Sequence, residues 1–109
     1  MIEVVSCLGK KDAYKILKVL YKLKRGRYSE IERELVKSGI YITPPTLSNR
    51  LKEFIKAGIL VKVLDEEGND VYVLTPFGEE LIKALIELEE KYNKLRRKDN
   101  SATLSTSRV

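Results

Sequence analysis

The stretch Thr43-Pro44-Pro45-Thr46-Leu47-Ser48-Asn49-Arg50-Leu51-Lys52-Glu53-Phe54-Ile55-Lys56-Ala57-Gly58 decides the fold. Thr43 is a helix N-cap, and Pro44 takes the first helical position, where a missing N–H costs nothing. The helix is predicted over 44–57, and Gly58 stops it. Leu47, Leu51, Phe54 and Ile55 make its buried stripe. At about 100° per residue, with Leu51 central to that stripe, Pro45, Thr46, Asn49, Lys52, Glu53 and Lys56 face outward, and Ser48 and Arg50 lie on the flanks. At about 1.5 Å per residue the helix is roughly 20 Å long.

On the N-terminal side two more helices are expected. One runs from Asp12, its N-cap, to Lys24, with Ile16, Leu17, Val19, Leu20 and Leu23 inward and lysines between them. Gly26 ends it. The other follows a capping box, Ser29-Glu30-Ile31-Glu32, in which Ser29 caps and Glu32 reaches back. It turns Ile31, Leu35 and Val36 inward and closes at Gly39. On the C-terminal side, 59–65 and 70–75 are β-rich, and Glu66-Glu67-Gly68-Asn69 between them is a turn, so the pair reads as a hairpin. Thr75-Pro76 then repeats the cap-and-proline start, and a long helix is predicted from about 76 to 98. Residues 99–109, rich in Ser and Thr without period, are expected to be disordered. The class is α+β, mainly α, with one domain over 1–98 and no repeat.

Two short helices followed at once by a hairpin form the plan of a winged helix-turn-helix. The second helix suits the major groove, the first braces it, and the hairpin reaches the adjacent backbone. Thr46, Ser48, Asn49 and Arg50 are residue types that read bases or hold phosphates, Asn pairing with adenine and Arg with guanine. Thr43, Pro45, Lys52 and Lys56 complete the candidate face. A solvated polar helix face is the competing account of these residues, and the order of elements around them decides against it.

Several segments resemble the HxlR-type winged-helix regulators and, more distantly, the ArsR, PadR and MarR groups. They are Leu8-Gly9-Lys10 with Ile16-Leu17, Arg27-Tyr28-Ser29-Glu30-Ile31, 42–53 with Ala57-Gly58-Ile59-Leu60, and the Leu-Thr-x-x-Gly-x-x-Leu pattern of 74–81. Together they span roughly residues 8–90. The resemblance implies a homodimeric transcriptional regulator that binds double-stranded DNA through residues 43–56, with Arg27 and Ser29 at the start of the bracing helix as further contacts. Three departures stand out. Pro45 sits where the family commonly has a polar or basic residue. Cys7 is too close to Leu8-Gly9 to match the cysteine of the family's redox sensors, so redox sensing is not carried over. The wing is acidic at Asp65, Glu66, Glu67 and Asp70, and carboxylates repel phosphates. Either the wing tip stays off DNA, or only Asn69 and nearby backbone touch it.

Leu81, Leu85, Leu88, Tyr92 and Leu95 recur as a heptad seam along the last helix. Leu81 and Leu85 can pack within their own subunit. Leu88, Tyr92 and Leu95 extend past a domain of this size and predict a dimer interface. Two subunits would set their reading helices about 34 Å apart.

Composition bounds the rest. The 109 residues carry a formal net charge of +5, which permits nucleic-acid binding without requiring it. Lysines and arginines cluster over 10–27 and again over 91–98. With no histidine and one cysteine, zinc sites of the usual kind, histidine-based catalysis and internal disulfides are excluded. Glu79-Glu80 needs no catalytic account, because acids at a helix N-terminus suit its dipole. No enzyme activity and no cofactor are expected. Cys7 reads as a small core residue, with an intersubunit disulfide as its alternative. Met1–Val5 is too short for a signal-peptide core and no run could span a membrane, so a cytoplasmic protein is expected. Abundant Lys, Glu and Ile without Gln or Trp suggest a thermophilic source. The rival function is a winged-helix module that binds another protein instead of DNA, a reading the acidic wing favours.

Overall fold

The computed structural model describes the backbone of residues 1–106 and the side chains of residues 1–98. In chain order the elements are α1 (Ile2–Leu8), α2 (Ala13–Leu23), β1 (Arg25–Gly26), α3 (Tyr28–Lys37), α4 (Pro44–Lys56), β2 (Leu60–Leu64), β3 (Asp70–Leu74) and α5 (Pro76–Thr106). This is a winged helix-turn-helix of the expected α+β class. α3 and α4 are the helix pair, and β2–β3 is the wing.

The core explains why these segments fold together. Ile16, Leu17 and Leu20 of α2, Ile31 and Leu35 of α3, and Leu47, Leu51 and Phe54 of α4 are all buried. Ile59 and Leu60 at the wing base, Leu74 of β3 and Ile82 of α5 close the cluster. Each such side chain contributes about 1.5–3 kcal/mol by leaving water. Helical spacing places the three α4 residues on one face, and that face is what fixes the helix against the rest.

α4 is bounded as its sequence dictates. The Thr43 hydroxyl accepts from the Thr46 N–H at 3.4 Å, and Pro44 begins the helix. At the other end Gly58 takes φ +79°, the Gly58 N–H donates to the Ile55 carbonyl at 3.1 Å and the Ile59 N–H to the Phe54 carbonyl at 2.9 Å. These two bonds make a Schellman motif, and its usual apolar contact is supplied by buried Phe54 and Ile59.

The sheet has strand order β1-β3-β2 and is antiparallel throughout. In the wing Leu60 pairs with Leu74 and Leu64 with Asp70. Arg25 and Gly26 add a short third strand against Val73 and Tyr72.

Three local expectations are corrected, one further helix appears, and Asp12 holds its expected cap position without the capping bond. α1 was not foreseen; Val4 and Cys7 of this helix are buried, and it packs on α4 and α2. Gly26 does not stop α2; Lys24, at φ +70°, turns the chain and Gly26 pairs in β1. The cap of α3 is Arg27 instead of Ser29: the Arg27 N–H donates to Glu30 Oε1 at 2.7 Å, so Glu30 and not Glu32 reaches back. Asp12 stands at the cap of α2 but at φ +64° and without a capping bond, its carboxylate 3.7 Å from Lys15 Nζ. Val36 is exposed, one position round the helix from buried Leu35.

The last helix also continues past Lys98, its backbone reaching Thr106, because no Gly or Pro follows Gly78 to interrupt it. The tail expected to be disordered, 99–109, lies outside the residues whose side chains are described, and 107–109 lie outside the described residues altogether.

Candidate nucleic-acid interface

Pro45, Asn49, Lys52 and Lys56 are exposed and recur at spacings of four, three and four residues, so they line one stripe of α4. The stripe lies opposite Leu47, Leu51 and Phe54. Among the described residues Asn49, Lys52 and Lys56 enter no side-chain hydrogen bond or ion pair, whereas Thr46, Arg50 and Glu53 of this helix do. Thr46 and Ser48 flank the stripe half-buried, and the hydroxyls of Thr46 and Thr43 lie 2.9 Å apart. The bracing helix holds the start of α4 through Tyr28, whose hydroxyl donates to the Pro44 carbonyl at 3.1 Å. Ser29 is exposed at the beginning of α3.

Arg50 does not join the stripe. Its Nε donates to the Lys11 carbonyl at 2.9 Å and its Nη1 to Glu53 Oε1 at 2.8 Å, and its side chain is 15% exposed. A flank position on the wheel allowed either direction, and two acceptors draw it inward.

Arg27 is similarly engaged. Its Nη2 lies 3.0 Å from Asp65 Oδ2 and 3.4 Å from Glu67 Oε1. Asp65 also accepts the Asn69 N–H at 2.8 Å and the Glu67 N–H at 2.9 Å through Oδ1. The Asn69 N–H foremost, with the Glu67 N–H and Arg27, holds the Asp65 carboxyl below its ordinary range against a burial effect of opposite sign. Gly68 takes φ +81°, the left-handed conformation this turn requires. The acidic wing is therefore partly neutralised from within the chain: Asp65 and Glu67 meet Arg27, and Asp70 lies 3.9 Å from Lys62. Asn69 stays exposed at the tip.

The seam on α5 divides. Leu81 is half-buried against the core together with Ile86, and among the described side chains the α5 hydrophobic that is fully buried is Ile82, which the heptad spacing passed over. Leu85 is half-buried, while Leu88, Tyr92 and Leu95 are 61%, 55% and 57% exposed. A crevice of about 460 Å³ opens between Leu8, Tyr14, Leu85, Leu88, Glu89 and Tyr92. At its edge the Tyr14 hydroxyl donates to Glu89 Oε1 at 2.6 Å, and Lys18 Nζ lies 3.4 Å from the same oxygen. Burial first, and then the Glu89 carboxylate, push the Tyr14 hydroxyl up to about 12. Met1, which precedes α1, and Ile2 and Val5 of α1 are also exposed. The i, i+3, i+4 spacing of Val4, Cys7 and Leu8 was the signal that could have revealed this helix.

Cys7 is buried, and burial foremost raises its thiol above the ordinary value. It is a core residue, as expected. Among the described residues no helix is long and apolar enough to cross a membrane.

The fold is that of a winged helix-turn-helix protein. The HxlR-like helix-turn-helix family model matches residues 7–100, and the chain belongs to that family of transcriptional regulators. The transcriptional regulator YodB of B. subtilis, in its reduced form, is 26% identical with a TM-score of 0.71, over 86% of this chain and 89% of that one. A possible HxlR family transcriptional factor from Thermoplasma volcanium is 27% identical with a TM-score of 0.65, over 86% and 82%. A transcriptional regulator homologue from Pyrococcus horikoshii, 23% identical with a TM-score of 0.62 over 87% and 98%, shares the fold. No curated protein matches the chain.

Proposed function

We propose that the protein binds double-stranded DNA as a homodimer and regulates transcription in the cytoplasm. α4 lies in the major groove, with Asn49 and Lys52 toward base edges. Thr43, Thr46, Ser48, Lys56 and Ser29 contact the flanking backbone, Pro45 packs against the groove wall, and Asn69 meets DNA from the wing tip. Arg27 is left to the wing acids. Dimerisation uses α5, chiefly Leu88, Tyr92 and Leu95, with Leu81 and Leu85 at the seam's inner end.

The observation that carries this reading is the unengaged stripe of Asn49, Lys52 and Lys56 on the face opposite the core. Polar side chains without internal partners, on a helix clamped at both ends, are prepared to meet a ligand without first breaking bonds. Lys56 suits phosphate, Lys52 one turn before it suits the acceptors of guanine, and Asn49 beside them suits adenine.

The test is a salt titration of binding to random and to genomic upstream duplexes. Affinity that falls steeply with salt, with one upstream fragment favoured by about a thousandfold, supports a specific regulator. Equal affinity for all duplexes indicates an architectural role. Absence of binding even at low salt refutes the proposal and leaves a protein-interaction module.

A further inference from the structure

We infer that Arg50 is a positioning residue: it locks the recognition helix to the turn between α1 and α2 and so sets the angle at which Asn49 and Lys52 meet the bases. The inference rests on the DNA-binding reading above. It departs from what the residue type alone suggests, since an arginine on a reading helix is the commonest partner of guanine.

The geometry is specific. Asp12, at φ +64°, bends the chain between α1 and α2. The next backbone bonds there run from the Ala13 N–H to the Lys10 carbonyl at 3.2 Å and from the Ile16 N–H to the Asp12 carbonyl at 3.1 Å. The Lys11 carbonyl between them is met by the Arg50 Nε at 2.9 Å. The same guanidinium holds Glu53 at 2.8 Å, and Lys10 Nζ stands 4.0 Å from the other Glu53 oxygen. The result is a closed chain from the α1–α2 turn through Arg50 and Glu53 back to that turn. Extending Arg50 into a groove would abandon both acceptors together.

Two links leave α4 for the α1–α2 turn, Arg50 Nε to the Lys11 carbonyl at 2.9 Å and Glu53 to Lys10 Nζ at 4.0 Å, while the Arg50–Glu53 bond within α4 couples them, so this clamp opposes rotation about the helix axis as well as displacement. The apolar stripe of Leu47, Leu51 and Phe54 already holds α4 against the core, but apolar contacts are non-directional. Adjacent residues differ by about 100° around the axis, so a small roll of α4 displaces Asn49 and Lys52 in concert.

The experiment uses the full chain and the variants Arg50→Ala, Arg50→Lys, Glu53→Ala, Asn49→Ala and Arg50→Ala/Glu53→Ala. Each is measured by fluorescence anisotropy on the preferred duplex and on its single-base-pair substitutions, at a temperature where circular dichroism shows native helicity. Arg50→Ala is expected to lower affinity about tenfold with the order of preference among substituted duplexes retained, and Arg50→Lys, with charge but no fork, to fall between. The double variant should lose no more than the larger single loss, because both residues act in one contact. Asn49→Ala should instead erase preference at one base pair. If Arg50→Ala erases preference at one base pair, or adds fully to Glu53→Ala, Arg50 reads DNA directly and the inference fails. Amide exchange of the free protein separates this from failure of DNA binding itself. Arg50→Ala should speed exchange at Ala13 and along the second half of α4, and unchanged exchange there overturns the clamp whether or not the parent binds DNA.

Discussion

Replacing Gly78 with alanine sets two physical effects against each other. By helix propensity alone, Gly→Ala within a helix stabilises by about 0.5–1 kcal/mol. At Gly78 a Cβ would lie 2.1 Å from the Ile59 carbonyl oxygen, 3.0 Å from its carbonyl carbon and 3.2 Å from its Cγ2. Restoring ordinary contact requires α5 to retreat by about 1 Å. The obstacle is backbone, and it is already in use: the Ile59 carbonyl accepts the Thr75 N–H at 3.0 Å. The Thr75 hydroxyl, which donates to the Gly58 carbonyl at 2.6 Å, accepts the Gly78 N–H at 2.9 Å. Retreat of α5 therefore strains the cap that ties the end of α4, the wing base and α5 together. Overpacking of this kind costs about 1–3 kcal/mol, enough to reverse the propensity gain. For a domain of this size each lost kcal/mol lowers Tm by about 4–8 °C. Thermal unfolding followed by circular dichroism should show Gly78→Ala less stable than the parent. A Tm equal to the parent's or higher would refute the reasoning, since propensity would then have outweighed the close approach.

Asn49→Ala should cost about 1–3 kcal/mol of specific affinity with little change for random duplex, read by anisotropy; an equal loss on all DNA would make Asn49 a backbone contact. Leu88→Glu should yield monomers by light scattering, because it places a charge on the exposed seam; an unchanged dimer would put the interface elsewhere. Tyr14 has its proton affinity raised in the folded protein, from 10.0 to about 12. Its contribution to stability is therefore complete below pH 10.0 and lost as pH rises toward about 12, so the alkaline limb of stability against pH should be shallower in Tyr14→Phe. Asp65 is shifted the opposite way, from 3.8 downward, so its contribution is present above that value and lost as pH falls through the lowered one; Asp65→Asn should flatten the acid limb.

Much of the architecture was written in local signals. The cap at Thr43, the proline at 44 and the glycine at 58 act within a turn of the helix they bound, and each sits where its chemistry requires. The Leu-Thr-x-x-Gly-x-x-Leu pattern of the wing exit has a physical content in this structure. Leu74 enters the core, Thr75 caps α5, Gly78 admits the Ile59 carbonyl, and Leu81 leans on the core. What escaped was weakly marked or relied on distant partners. α1 spans Ile2–Leu8 with no side-chain cap. β1 is a strand only because Val73 and Tyr72 lie beside it. Ile82 outranks Leu81 for the core because a helix lying on a compact domain follows the domain's surface, and a regular heptad suits a partner helix.

The candidate site shows the same division with greater consequence. Asn49, Lys52 and Lys56 were placed by helical phase alone, and Glu53, the acid within a turn of Asn49 and Lys56, is taken by Arg50 and Lys10. The arginines were not, because a guanidinium has five donors and takes acceptors wherever the fold presents them. For Arg50 one acceptor, Glu53, was visible three residues along the same helix, but the other, the Lys11 carbonyl, depended on how a turn far back in the chain would close. For Arg27 the partners were the wing acids themselves. The acidity that argued against a DNA-binding wing and the arginine that argued for a DNA contact are two ends of one interaction. Reading them separately counted a repulsion and an attraction toward phosphate, and the pairing removes part of each. The case for DNA therefore gains nothing from Arg27 and loses little to Asp65, and it stands on Asn49, Lys52 and Lys56 of α4, which among the described residues have no side-chain partner.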